Sequence, residues 1–144
     1  MFSGTYYRSI DNKGRVFVPS IFREELVKGL MISKGYGLKC LCLFSIEKWD
    51  KIDETIIANK VAEGDVQRFK RWFFGSAVKE TIDQQGRIRI PQNLIEYAGL
   101  EKDIVMVGVS NRVEIWNKEN WQEYDGVAES EYKKNPEVFE KLVL

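Results

Sequence analysis

The chain alternates between two hydrophobic periods, and the order of alternation occurs twice. Thr5-Tyr6-Tyr7, followed by Ile10, reads as an opening strand, because aromatic and β-branched residues suit a pleated, half-buried surface. Val16-Phe17-Val18 then alternates with period two, which sends the valines to one face and Phe17 to the other until Pro19 ends the strand. Ile21, Phe22 and Leu26 fall near one helical stripe, with Ser20 as the expected N-cap and Gly29 as the stop. Leu30-Met31-Ile32-Ser33 starts another strand, Gly35-Tyr36-Gly37 makes a turn, and the unbroken apolar run Cys40-Leu41-Cys42-Leu43-Phe44 predicts a strand buried on both faces. Helical periodicity returns from Glu47 to Ala62, with Ser45 as cap and Ile46, Trp49, Ile52, Ile56 and Ile57 near one stripe. A second helical segment runs from about Asp65 to Phe74, with Val66, Phe69, Trp72 and Phe73 on one side and Arg68 and Arg71 on the other.

The pattern then starts again. Ser9-Ile10-Asp11-Asn12-Lys13-Gly14-Arg15-Val16-Phe17-Val18-Pro19 returns as Thr81-Ile82-Asp83-Gln84-Gln85-Gly86-Arg87-Ile88-Arg89-Ile90-Pro91, an offset of 72 in a chain of 144 residues. Without a gap, that offset also lays Leu41, Leu43 and Phe44 on Val113, Ile115 and Trp116, and Glu47 and Trp49 on Glu119 and Trp121. In the second copy Gln92 to Tyr97 is the short helix, Ala98-Gly99 its stop, Ile104 to Val109 a strand and Asn111 a turn. Arg112 to Trp116 is the second buried strand, and a helix with Trp121 and Tyr124 follows from Lys118. Glu129 to Leu144 reads as an amphipathic tail in which Asn135-Pro136 starts a terminal helix. A unit repeated this faithfully cannot bury its apolar face alone, so the halves are expected to share one fold and pack about a pseudo-twofold axis. The expected organisation is a first repeat over 1–62, a linking helix over 63–76, a second repeat over 77–125 and a helical tail over 126–144.

Each copy centres on Asp-x-x-Gly-Arg. The Asp can hydrogen-bond forward to the backbone and the Gly supplies positive φ at no steric cost, so strand, tight turn and strand predict a hairpin whose tip carries a fixed Arg. One reading is that Asp11 with Arg15, and Asp83 with Arg87, form an ion pair that closes the hairpin and does nothing more. The arginine has another use, since its planar fork matches phosphate oxygens or guanine edges.

Composition narrows the chemistry. Lys and Arg together number 22, as do Asp and Glu, but residues 67–89 hold Arg68, Lys70, Arg71, Lys79, Arg87 and Arg89 against Glu80 and Asp83. A neutral total therefore does not argue against a polyanionic partner. The chain contains no His, which removes the commonest general base and nitrogen ligand, so enzymatic readings start at a disadvantage. Cys40-x-Cys42 supplies neither a zinc set nor a disulfide framework and is expected to be two buried thiols. No run approaches a membrane span and Met1-Phe2-Ser3-Gly4 lacks signal-peptide character, so a cytoplasmic protein without membrane partners is expected. Trp49 and Trp121, at equivalent places on apolar stripes, are expected in the core rather than as base-stacking platforms.

Ser9–Arg15, Pro19 with Phe22-Arg23, Arg71-Trp72-Phe73-Phe74, Asp83–Arg87 and Gly108–Trp116 together resemble the MraZ family of transcriptional regulators, encoded at the head of bacterial division and cell-wall gene clusters. The resemblance covers nearly all of residues 1–125. It implies a mainly β protein with short helices (α+β), a tandem duplicated AbrB-like swapped-hairpin β-barrel, and assembly of chains into a homo-oligomeric ring. It also implies a nucleoid-associated regulator that binds double-stranded DNA at promoter repeats, with no enzymatic activity, cofactor, metal or small-molecule ligand. Carried over by residue, the DNA-binding motif falls on Asp11, Lys13, Arg15, Asp83 and Arg87, with Gln85 where the first copy has Lys13. Whether Asp11 and Asp83 touch DNA or only brace the turn stays open at this level, as does a structural or adaptor role in which the turns only close the barrel.

Overall fold

The computed structural model describes residues 1–58 and 62–143. The elements run β1 (Phe2–Ser9), β2 (Arg15–Phe17), α1 (Ser20–Leu26), β3 (Leu30–Lys34), β4 (Leu41–Ser45), α2 (Ile46–Ala58) and α3 (Glu63–Ser76), then β5 (Val78–Glu80), β6 (Arg87–Arg89), α4 (Gln92–Ala98), β7 (Asp103–Ser110), β8 (Val113–Asn117), α5 (Lys118–Lys134) and α6 (Glu137–Val143). The expected continuation of α2 through 59–61, the side chain of Ile57 and the last residue of the tail, Leu144, lie outside the described residues; Ala62, expected as the last residue of that helix, is instead extended (ψ 135°) at the N-cap of α3. Among the described residues, no helix is long and apolar enough to cross a membrane.

The strands form a six-stranded antiparallel sheet, ordered β1-β7-β8-β4-β3-β5, and a two-stranded ribbon of β2 with β6. Exchanging each strand for its repeat counterpart reverses the six-strand order and leaves it unchanged, as a pseudo-twofold axis requires. The ladders place that axis. Val16 pairs with Ile88 in the ribbon and Cys42 with Glu114 in the sheet, and each of these pairs consists of one position and its own copy 72 residues later.

The turn does not close a hairpin. β1 pairs with β7 of the other half, β5 with β3, and β2 with β6, so the arms flanking each Asp-x-x-Gly-Arg turn exchange partners between halves. This is the swapped arrangement. Alternation had reported which face each residue takes, but a period of two carries no information about which strand lies alongside. One core results: the ribbon's Val16, Val18, Ile88 and Ile90 pack with sheet residues such as Ile32, Leu41, Met106 and Val113. The sheet ladders end at β1 and β5, and the ribbon lies over the core between them.

The repeat is also not gapless. Leu30↔Ser45 in the first copy corresponds to Ile104↔Asn117 in the second, which is an offset of 74 across β3 and β7 but 72 across β4 and β8. The helix exits explain the slip. Chain from α1 enters β3 directly after Gly29, whereas α4 ends on Gly99 in the left-handed region (φ 62°) and spends Leu100 to Lys102 before β7 begins. The connection between β7 and β8 is correspondingly shorter than that between β3 and β4.

Three side-chain expectations change. Ile21 is 62% exposed, because Phe22 and Leu26, at i and i+4, set the buried face of α1; its repeat counterpart is the polar Asn93. Ser20 is not the cap: Pro19 occupies that position and no side chain caps the helix. Trp72 stands at the surface over Tyr97, with the Lys34 ammonium 5.4 Å from the Trp72 ring and 5.1 Å from the Tyr97 ring. Other expectations are met. The Ser45 hydroxyl accepts from Lys48 N, Trp49 stacks on Phe73 at 5.3 Å, and Trp121 packs edge-on to Trp116 at 5.6 Å. The amphipathic segment from Glu129 begins inside α5 and continues as α6 after Pro136.

Cys40, Cys42 and Glu114 lie together near the sheet end of the axis, with donor atoms within 4.8 Å of one another. The Glu114 carboxylate accepts from Arg112 Nε (3.2 Å) and Nη2 (2.9 Å) and from Trp116 Nε1 (3.0 Å). A hydrogen bond with Cys42, then burial, pushes the Cys40 thiol up, which keeps it protonated. The cluster is thus a satisfied buried network across the two halves.

Candidate nucleic-acid interface

The two turns are built alike. Asp11 Oδ1 accepts from Lys13 N and Arg15 N, both at 2.9 Å, and Oδ2 accepts from Arg15 Nε at 2.7 Å. In the second copy Asp83 Oδ1 accepts from Gln85 N and Arg87 N, both at 2.9 Å, and Oδ2 from Arg87 Nε at 3.0 Å. These bonds hold Asp11 well below the usual carboxylate range, at about 2, with the Arg15 backbone N–H the largest cause and its side chain adding to it. Asp83 is lowered in the same way, first by the Arg87 N–H. The ion-pair reading of the Asp is therefore met in geometry. Because each Asp engages Nε, the Nη1 and Nη2 nitrogens of Arg15 and Arg87 have no partner among the described residues. A braced guanidinium with an open fork can address an anion or a base edge at little entropic cost.

The turn glycines are steric necessities. Gly14 has φ +79°, and a Cβ there would lie 2.6 Å from the Ile90 carbonyl oxygen. That contact exists because the ribbon ladder runs into the turns: Ile90 N donates to Gly14 O at 2.8 Å, and Val18 N donates to Gly86 O at 2.9 Å. Each turn is thereby docked on the strand of the other half. Gly86 (φ +85°) instead faces the guanidinium of Arg23, which α1 projects beneath the second turn with its Nε bonded to Val18 O at 2.8 Å. The repeat counterpart of Arg23 is Ile95, whose side chain lies by Gly14. Lys13 gives the first turn a cation that Gln85 cannot give the second, and Arg23 supplies the second turn with one.

The ribbon brings the turns onto one surface. Val16 and Ile88 are buried, so the alternation puts Arg15, Phe17, Arg87 and Arg89 on the opposite face. Arg15 sits directly across from Arg89, and Phe17 across from Arg87, whose guanidinium lies 6.0 Å from the Phe17 ring centroid. The bonds from Ile90 N and Val18 N make 14↔90 and 18↔86 hydrogen-bonded pairs, so by alternation Arg15↔Arg89 and Phe17↔Arg87 are non-hydrogen-bonded pairs, where facing side chains come closest. Two like charges opposed there destabilise a ladder by roughly 0.2–1 kcal/mol, a cost that a polyanion on this face would offset. Arg15 and Arg87 thus lie on one face of the ribbon, Lys13 stands exposed at the first turn, and Asp11 and Asp83 brace from beside. Arg89, Phe17 and Arg23 were not singled out as site residues. The signal for the first two lay in the alternation, but only the 15↔89 register shows that both copies contribute to the same face.

A family model described as "MraZ protein, putative antitoxin-like" matches residues 1–72 and again 73–138, once for each half. The Transcriptional regulator MraZ of Acetivibrio thermocellus is 47% identical over 126 residues, covering 88% of this chain and 87% of that protein. Proteins of the same name from Pelotomaculum thermopropionicum and a Thermoanaerobacter species are 44% and 42% identical, each over 99% of this chain and over 96% and 99% of their own lengths. With both halves matched and the tandem swapped fold in place, the chain belongs to the MraZ family of transcriptional regulators.

Proposed function

We propose that this protein is a sequence-specific, non-enzymatic DNA-binding regulator that lays the β2–β6 ribbon in the major groove of double-stranded DNA, with Arg15 and Arg87 as its principal contacts. The observation that supports this most is the pair of half-buried, Asp-braced guanidinium groups, with no hydrogen bond at Nη1 and Nη2 among the described residues, on one face with the exposed Arg89. A two-stranded ribbon fits a groove about 12 Å wide, and Arg is the commonest reader of guanine O6 and N7 there. Lys13 is assigned to phosphate, and Asp11 and Asp83 to holding the arginines rather than touching DNA. Chains assemble into a homo-oligomeric ring, so that several ribbons engage repeated promoter sites and linked contacts raise the effective concentration of the next. The targets are its own promoter and the bacterial cell-division and cell-wall gene cluster it heads, which makes it a cytoplasmic, nucleoid-associated protein.

Footprinting the full-length protein on its own upstream region tests this reading. Protection of repeated, evenly spaced sites that weakens steeply with salt is expected. A protein that protects nothing at low salt would instead be a structural or adaptor oligomer whose turns serve only the fold.

A further inference from the structure

We infer that Phe17 contacts the 5-methyl group of a thymine in the major groove and is a specificity-determining residue of the ribbon; this rests on the proposed DNA-binding role of that face. The ribbon's backbone is symmetric about Val16 and Ile88, but its outer face is not. One end carries two opposed guanidinium groups, Arg15 and Arg89, and the other sets Phe17 against Arg87. Phe17 is 48% exposed, although it lies in a strand whose neighbours Val16 and Val18 are fully in the core. The fold therefore leaves about half of the ring uncovered, and its counterpart in the second copy is a charged residue, Arg89.

A large apolar ring held among arginines needs an apolar target on a polyanion. Phosphates and most base edges are polar, and the thymine methyl is the apolar group that a base edge presents in the major groove. The Arg87 guanidinium at 6.0 Å from the ring centroid orients the ring beside a group that can take the neighbouring base-edge acceptors or a phosphate. A second copy of the chain is a poor occupant for this ring, because Arg15, Arg87 and Arg89 would be desolvated with it.

The test uses full-length protein and a single-site duplex selected by it from a randomised pool, with each thymine replaced in turn by deoxyuridine. That change removes the methyl and keeps every hydrogen-bonding group. At one position, deoxyuridine should weaken wild-type binding about four-fold, the worth of one buried methyl-sized group, and Phe17→Ala should be insensitive to the same replacement. Phe17→Ala should melt and sediment as wild type. A flat deoxyuridine series, or equal deoxyuridine losses in wild type and Phe17→Ala, overturns the inference. So does a Phe17→Ala loss without any sensitive thymine, which would make the ring only a support for Arg87, or a change in oligomer mass, which would make it a protein contact. If Arg15→Ala and Arg87→Ala bind as wild type, the ribbon reading itself fails; if they lose binding while the deoxyuridine series is flat, only the thymine contact fails.

Discussion

Val16 and Ile88, each other's repeat counterparts, face one another across the ribbon at 1% and 2% exposure, and their contact exists only if the halves exchange strands. Ile88→Ala removes a buried aliphatic side chain and should cost about 2–5 kcal/mol, while Val16→Ala, losing two methyl groups at roughly 0.8 kcal/mol each plus part of a cavity, should cost about 2 kcal/mol. Against a total stability of about 5–15 kcal/mol, each single variant should still fold. Because both truncations open the same space, the double variant should lose less than the sum, with an interaction energy of at least about 0.5 kcal/mol. Urea titration at fixed protein concentration, followed by fluorescence of the four tryptophans, gives the three differences. Additivity within about 0.3 kcal/mol would mean that the two residues do not touch. The turns would then close local hairpins, and the shared ribbon face would not exist.

Further expectations concern the turns. Gly14→Ala combines positive φ with a clash against backbone and should destabilise by about 2–4 kcal/mol, whereas Gly86→Ala meets the movable end of Arg23 and should cost nearer the strain alone, about 1–3 kcal/mol; thermal melting of the two variants checks the order. Asp11 is held at about 2 in the folded chain against an ordinary value of 3.8, so its contribution is fully present above about 4 and is lost as pH falls through 2, with Asp83 acting in the same direction. Melting followed from pH 7 to pH 2 should therefore lose stability on the acid limb, and the Asp11→Asn, Asp83→Asn double variant should flatten that limb; an equally steep limb in the variant would show that the turns do not set it.

The division between what the residues announced and what only the structure supplied follows from locality. Asp11 and Gly14 act within five residues, so their turn was legible, as were the buried strand at Leu41–Phe44 and the short helices after Pro19 and Pro91. Strand exchange was not legible from periodicity, because pairing β1 with β7 or with β2 leaves the same residues facing inward; it entered only through family resemblance. The two-residue slip between β3 and β7 was hidden because compensating loop lengths restore the offset of 72 at β4 and β8. Arg23 and Arg89 stood in view as charges, but their relation to Gly86 and Arg15 spans 63 and 74 positions and depends on tertiary contact. Ile21 was misplaced because two adjacent apolar residues on a helix point about 100° apart and only one of them can follow Leu26 inward.

The most direct test of the central claim is retention of wild type, Arg15→Ala and Arg87→Ala on immobilised duplex DNA across a salt gradient, with melting measured on the same samples. Both arginines lie on the ribbon's outer face, their side chains bonded only to Asp among the described residues and that of Arg87 also near the Phe17 ring, so melting should stay within about 0.5 kcal/mol of wild type. Binding should fall by about 1–3 kcal/mol for a lost base contact, or the slope of log K against log salt should drop by roughly 0.9 for a lost phosphate contact. Variants that elute with wild type, or whose loss of retention merely tracks a loss of folded protein, would contradict the account and leave Arg15 and Arg87 as clasps of the turn.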